Sequence, residues 1–303
     1  MSNRNLEQAK ARLKGPVVPM TTPIKADGAV DYEGLSKLTR FYVEGGIKVF
    51  IAVGTTGYCY ALTEEEHKRA VETIVQASEG RAFVIAGVSH SGTMMSNRLA
   101  DICEKAGADA LLMTPPYYHQ TDAPEGVYRH YKSVAENHSL GLIVYKTPTM
   151  KAEVDFFKRL GDVEHIIGIK DASGDYNFAR ECSIELGERF VLFSGGSMRY
   201  YLWHWLWGAK AYVTGIANLV PRIELDFFDH LQKGNLDAAK KIVVDFEQPF
   251  FEVMIEYGWH ESLHAALKIF GLPAGILRLP LVEPPKSQFD KMEKAFRKLG
   301  LLR

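Results

Sequence analysis

Cysteine is scarce in this chain. Cys59, Cys103 and Cys182 are the 3 thiols among 303 residues. Their spacing forms no pair, which argues against a disulfide framework and suits a reducing cytoplasm. An excess of either charge is also missing: 36 Lys and Arg stand against 37 Asp and Glu, for a net charge of -1. That balance gives no electrostatic case for nucleic acid or an anionic membrane as partner. No apolar run approaches the ~20 residues of a membrane span. Residues 1–14 are polar and charged, without the apolar stretch of a secretory leader. The expectation is a soluble, cytoplasmic protein. No glycine-rich dinucleotide fingerprint follows the first strand-like run, and repeats and low-complexity tracts are absent.

What is present is an alternation. Short apolar runs over 16–20, 48–53, 82–88, 109–114, 141–145, 166–170, 190–194 and 211–214 read as buried strands. Helical patterns separate them, one running over 123–136. Asp31 is placed to cap the first of these helices, and Thr63-Glu64-Glu65-Glu66 has the form of a capping box for the next. Eight βα units in series, with connections too short for antiparallel pairing, predict a (β/α)8 TIM barrel. After Gly234 the strands stop, and 235–257, 261–270 and 286–299 look helical. The predicted division is an N-terminal segment 1–14, a barrel 15–233 and a C-terminal helical extension 234–303.

A barrel carries its chemistry at the C-terminal ends of its strands. Lys170 ends the sixth, in Gly168-Ile169-Lys170-Asp171-Ala172-Ser173-Gly174. Burial at a strand mouth favours a neutral amine, which can attack a carbonyl and form an imine. The plainer reading is a lysine that snorkels to the rim and pairs with Asp171. Tyr145 ends the fifth strand and can reach the same pocket as a proton shuttle, or sit there as a rim aromatic. Gly54-Thr55-Thr56-Gly57 ends the second, with amides and hydroxyls suited to a carboxylate, though an ordinary turn has the same composition. Tyr117 and Tyr118 follow the fourth strand, where they can line the pocket or reach a neighbouring subunit. Gly195 follows the seventh and Val213 lies at the end of the eighth.

As a set, these strand ends resemble the dihydrodipicolinate synthase/N-acetylneuraminate lyase family of class I aldolases. The Gly-Thr-Thr-Gly turn, the Tyr-x-x-Pro segment from Tyr145 to Pro148 and the lysine heptapeptide occur in the family's order. Ala217-Asn218-Leu219-Val220-Pro221 and Gly275-Ile276-Leu277-Arg278-Leu279-Pro280-Leu281 are similar to it as well. The resemblance implies a lyase acting on pyruvate or a longer 2-oxo acid. Lys170 would form the imine and Tyr145 move protons. Thr55, Thr56 and Gly57 would hold the substrate carboxylate, with Gly195 and Val213 beside it. Tyr118 would complete a Tyr145–Thr56 relay across a subunit interface of a homotetramer. The imine is itself an electron sink, so no metal, nucleotide or prosthetic group is implied.

Three positions depart from the family pattern. Tyr58 stands where glutamate is common, Lys146 where asparagine is common, and Met150 where dihydrodipicolinate synthases proper place an arginine. The last predicts weak condensation with aspartate semialdehyde and favours an aldolase or dehydratase of another 2-oxo acid. The synthase proper is the alternative. A rival of a different class is a zinc hydrolase. His260-Glu261-Ser262-Leu263-His264 matches the H-E-x-x-H pattern, but its G-x-x-H extension is missing. The pattern is expected outside the barrel mouth, as a polar stripe on a packed helix.

Overall fold

The computed structural model of the protein describes residues 3–118 and 124–302. Residues 1, 2 and 303, at the ends of the predicted segments, lie outside it, as does residue 123, where a helix was expected to begin. A helix that the sequence did not announce, α1 (Asn3–Arg12), precedes the barrel. Then come β1 (Gly15–Pro19), α2 (Tyr32–Glu44), β2 (Val49–Ala52), α3 (Glu64–Ser78), β3 (Phe83–Gly87), α4 (Thr93–Lys105), β4 (Ala110–Met113) and α5 (Pro124–Asn137). The second half repeats the order: β5 (Gly141–Lys146), α6 (Val154–Gly161), β6 (Ile166–Asp171), α7 (Tyr176–Leu186), β7 (Val191–Ser194), α8 (Ser197–Leu206), β8 (Ala211–Val213) and α9 (Pro221–Gln232). All eight strands pair in parallel and close in chain order, the (β/α)8 barrel expected.

Both faces of these strands are buried, so they read in sequence as continuous apolar runs. Inward side chains such as Val17, Ile51, Ile85, Leu112 and Phe193 fill the barrel. Outward ones such as Val18, Phe50, Val84 and Ile169 pack under the helices. The helix starts are as read: the Asp31 carboxylate accepts from the Gly34 amide at 3.0 Å, and Thr63 and Glu66 form a capping box. Helix α1 plugs the N-terminal end. Its Leu6, with Leu13 just beyond it, joins the barrel interior at 4% and 0% exposure. Arg12 lies over the ring of Phe83, the first residue of β3. Leu6 and Leu13, with only the small Ala9 packed between them, are too few apolar residues in a polar stretch to mark a helix in the sequence.

One irregularity matters for the chemistry. Leu142 of β5 pairs with Ile166 of β6, but Ile143 pairs with Gly168. Ile167 is therefore an extra residue, a bulge, and it packs inward, into the space beside Gly141. A one-residue insertion reverses the facing of every later side chain in a strand. Ile166 faces out, and without the bulge Lys170 would face out as well. With it, Lys170 turns into the barrel and Asp171 out.

After β8 the chain is helical, in α10 (Leu236–Ile242), α11 (Gln248–Met254), α12 (Trp259–Ile269) and α13 (Lys286–Lys298). The helix expected over 235–257 is interrupted by a π-helical turn, Val243–Glu247. Pro249 has no N–H to continue the ladder, and the Gln248 amide donates to the Val243 carbonyl five residues back.

Candidate active site

At the C-terminal end of the barrel lies a cavity of about 320 Å³. Lys170, 7% exposed, stands on its floor. Lys170 is paired in register with Tyr145 on the adjacent strand. The lysine Nζ lies over the tyrosine ring, 3.9 Å from its centroid. Thr55, Thr56, Gly195 and Val213 line the same cavity, so six of the predicted site residues converge there. The Gly54–Gly57 turn that carries the threonines is backbone-strained at both flanks: Val53 has φ 49° and Tyr58 φ 62°. Such conformations cost roughly 1–3 kcal/mol for non-glycine residues and persist where the surroundings hold them. Gly87, at the end of β3, is part of that hold, since a Cβ there would run into the Val53 carbonyl.

Other predicted residues fall elsewhere. Gly57 lies behind the cavity wall; its amide donates to the Gly54 carbonyl at 3.0 Å and its carbonyl accepts from Thr22 Oγ1 at 2.8 Å. Tyr118 is 80% exposed and not in the cavity of its own chain. Its amide donates to Ser91 Oγ at 3.1 Å. Tyr58 is buried and packs edge-on to Tyr60, 6.3 Å between centroids. Lys146 is buried, facing away from the cavity, with Nζ 4.4 Å from the Phe178 ring centroid. Met150 packs against the hydrophobic core.

Behind Lys170, Asp171 anchors the strand end. One oxygen accepts from the Ser173 amide and hydroxyl at 2.9 and 2.6 Å, and the other meets His204 Nε2 at 3.2 Å. Burial pushes the Asp171 carboxyl up, but these contacts outweigh it and hold it below the usual value. The lysine's plainer partner is thus engaged on the far side of the strand.

The sequence missed the outer wall and roof. Ser197, Arg199 and Tyr200 contribute from the β7–α8 junction, Phe251 from α11, and Trp259 and His260 from α12. Trp259 rests directly on Gly215 and stacks with Phe251, centroids 5.3 Å apart. Ser197 has φ 46°, and the carboxylate of buried Glu247, in the π-helical turn, accepts from the Met198 and Arg199 amides at 2.8 and 3.0 Å. Burial raises the Glu247 carboxyl above its usual value, countered by its hydrogen bond with Ser197. The only signal that could have pointed here was the Gly195-Gly196 pair, which allows close backbone approach.

The H-E-x-x-H motif is not outside the mouth, as expected: the first turn of α12 reaches over it, so His260 lines the cavity. His264 is buried at 3% exposure, and burial pushes its pKa down to about 4. Among the described residues no group of three or more His, Cys, Asp or Glu is arranged to hold a metal ion.

The dihydrodipicolinate synthetase family model matches residues 12–299. The chain belongs to that family. It is similar to the 4-hydroxy-tetrahydrodipicolinate synthase of Psychrobacter sp. strain PRwf-1, 33% identical over 307 residues and 100% of both chains. Among solved structures it is similar to the dihydrodipicolinate synthase of Aquifex aeolicus, with TM-score 0.89, 30% identity, and 95% and 99% of the two chains covered. It is similar also to the chloride-inhibited enzyme of Acinetobacter baumannii, complexed with pyruvate, with TM-score 0.89, 28% identity, and 96% and 100% covered. The protein is therefore an enzyme of the class I aldolase/lyase type. The zinc hydrolase alternative has no support.

Proposed function

We propose that the protein is a Schiff-base lyase of a pyruvate-type 2-oxo acid with Lys170 as its nucleophile. The observation that carries the reading is Lys170, turned inward by the β6 bulge and held over the Tyr145 ring at 3.9 Å in the strand-end cavity. The Lys170 amine adds to the 2-oxo carbon, and the carbonyl oxygen leaves as water. The iminium then accepts the electron pair released at C3 when a proton or a carbon fragment departs, giving an enamine. Tyr145 carries the proton to and from these atoms. Thr55 and Thr56 hold the substrate carboxylate. Gly195 and Val213 border it; Gly57 serves by shaping the turn. Tyr118 acts on a neighbouring subunit's site in a homotetramer, and its exposure on its own chain supports that reading. So do exposed apolar side chains on α7 and at the end of α8, such as Ile184, Leu206 and the following Trp207, which a partner would cover. The cellular setting is the cytoplasm; no helix is long and apolar enough to cross a membrane among the described residues. The division into barrel 15–233 and extension 234–303 describes the chain, with a site that draws on both.

Incubation with pyruvate in heavy water tests the reaction class. Loss of the methyl-proton signal by enamine formation is expected, and it should be abolished in Lys170→Ala. Exchange at the wild-type rate in that variant would contradict it. A second reading, 4-hydroxy-tetrahydrodipicolinate synthase proper, is supported by the relatives' names. Against it stands Met150, packed on the core and contributing no charge. A coupled assay with pyruvate and aspartate semialdehyde separates the two.

A further inference from the structure

Among the described residues, the cationic side chains that line the cavity are Lys170 on the floor and Arg199 on the wall in the first turn of α8, and no Asp or Glu lines it. Arg199 is exposed at the mouth. The guanidiniums of Arg159, Arg222 and Arg278 each meet a carboxylate. That of Arg199 forms no ion pair among the described residues. It meets aromatic faces instead, Phe251 at 5.0 Å and Tyr200 at 5.9 Å to the centroids. Glu247 is close, but its oxygens accept the Met198 and Arg199 backbone amides. It fixes the arginine's backbone and leaves the guanidinium fork unpaired. We propose that Arg199 receives a second carboxylate at the far end of the substrate, so that the enzyme selects dicarboxylic 2-oxo acids over monocarboxylic ones.

This rests on the reading of Lys170 as the imine residue, which fixes the other end of the substrate. The cavity, about 320 Å³, lies within the range of small-molecule sites, roughly 300–1,000 Å³, which leaves room beyond a three-carbon acid. A single planar fork matches one carboxylate in bidentate fashion, whereas a phosphate dianion would be left with uncompensated charge. His260 shares the cavity, but burial lowers its pKa, so at neutral pH it offers a hydrogen bond and no charge. The selection falls on Arg199.

The test is borohydride trapping, quantified by mass spectrometry, with 2-oxoadipate and 2-oxohexanoate. These acids match in chain length and differ in the terminal carboxylate. In the wild-type protein, half-maximal trapping is expected at an about tenfold lower concentration of the diacid, the low end for a charged hydrogen bond because the mouth is open to water. Arg199→Ala is expected to bring the ratio to about one. Arg199→Lys should keep part of it, because an ammonium retains the charge without the fork. Arg222→Ala, an exposed arginine paired with Asp226 on α9, should keep the full ratio. A wild-type ratio near one, with pyruvate trapped normally, would overturn the proposal alone. So would an unchanged ratio in both Arg199 variants. No adduct from any of the three acids in the wild-type protein would overturn the Lys170 reading beneath it.

Discussion

Lys170 and Tyr145 are cross-strand neighbours, and their closeness follows from register alone. The ring face gives the amine a fixed station, and the phenol is carried to the same cavity by the same strand end. On the proposed reading, a group so placed would move protons at the imine without needing to be the nucleophile. Tyr145→Phe keeps the ring and removes the proton. It should slow pyruvate methyl exchange by ~10²–10⁴-fold, the usual worth of a positioned acid or base. Because the ring stays in place, imine formation on Lys170 should persist at a lower rate. Exchange within about twofold of wild type would remove Tyr145 from the proton path. At the same scale, Lys146 illustrates how a neighbour in sequence can belong to a different environment. One residue further along β5, it faces the opposite way, onto Phe178.

At the scale of the element, β6 is the decisive strand. Its bulge at Ile167 corrects the facing of Lys170, and Gly168 makes room for it. A Cβ on Gly168 would stand 2.8 Å from the Val191 carbonyl oxygen and 3.2 Å from the Phe193 ring. The carbonyl belongs to β7 and cannot rotate away. Gly168→Ala should therefore destabilise the fold by about 1–3 kcal/mol, the usual cost of overpacking. Shifting β6 should also reduce pyruvate exchange, because Lys170 lies two residues on. Urea unfolding midpoints together with exchange rates check both parts. A variant with wild-type stability and rate would mean that the strand end adjusts freely. The β7–α8 junction is a second such element: strained Ser197 and the amides of α8 are held by Glu247 from the C-terminal helices. The extension thus braces the wall that carries Arg199.

At the scale of the molecule, two carboxyls with opposite shifts shape stability against pH. Glu66 is held down to about 2 chiefly by its hydrogen bonds with Arg278. Its stabilising contribution is present above the ordinary value of 4.5 and is lost as pH falls toward 2. Glu224 is buried, and burial pushes it up to about 8 despite hydrogen bonds from Tyr212 and Thr214. Between 4.5 and about 8 the folded state keeps this proton while the unfolded chain releases it. The contribution of Glu224 to stability therefore falls as pH rises, by up to about 1.4 kcal/mol per unit, while buried histidines such as His264, held down to about 4, act in the opposite sense below 6.5. Glu224→Gln should flatten that decline; parallel wild-type and variant melting curves from about pH 5 to 8 would refute the assignment. Much of this architecture was legible in the chain. Strands buried on both faces are apolar runs, and Asp31 and Thr63 mark helix starts by their chemistry. Lys170, Tyr145, Thr55 and Thr56 were legible because a barrel confines its chemistry to strand ends. Arg199, Phe251, Trp259 and His260 were not, because tertiary packing of distant helices brings them in and no local periodicity records it. The inward facing of Lys170 was also hidden, since a bulge is a property of pairing between strands. Lys170 as the nucleophile is tested most directly by borohydride reduction in the presence of pyruvate, followed by peptide mass spectrometry. One reduced adduct per chain is expected, on the peptide carrying Lys170, absent from Lys170→Ala and from Lys170→Arg, whose guanidinium cannot act as the nucleophile. An adduct on another lysine, such as Lys146, or full activity in Lys170→Ala, would contradict it.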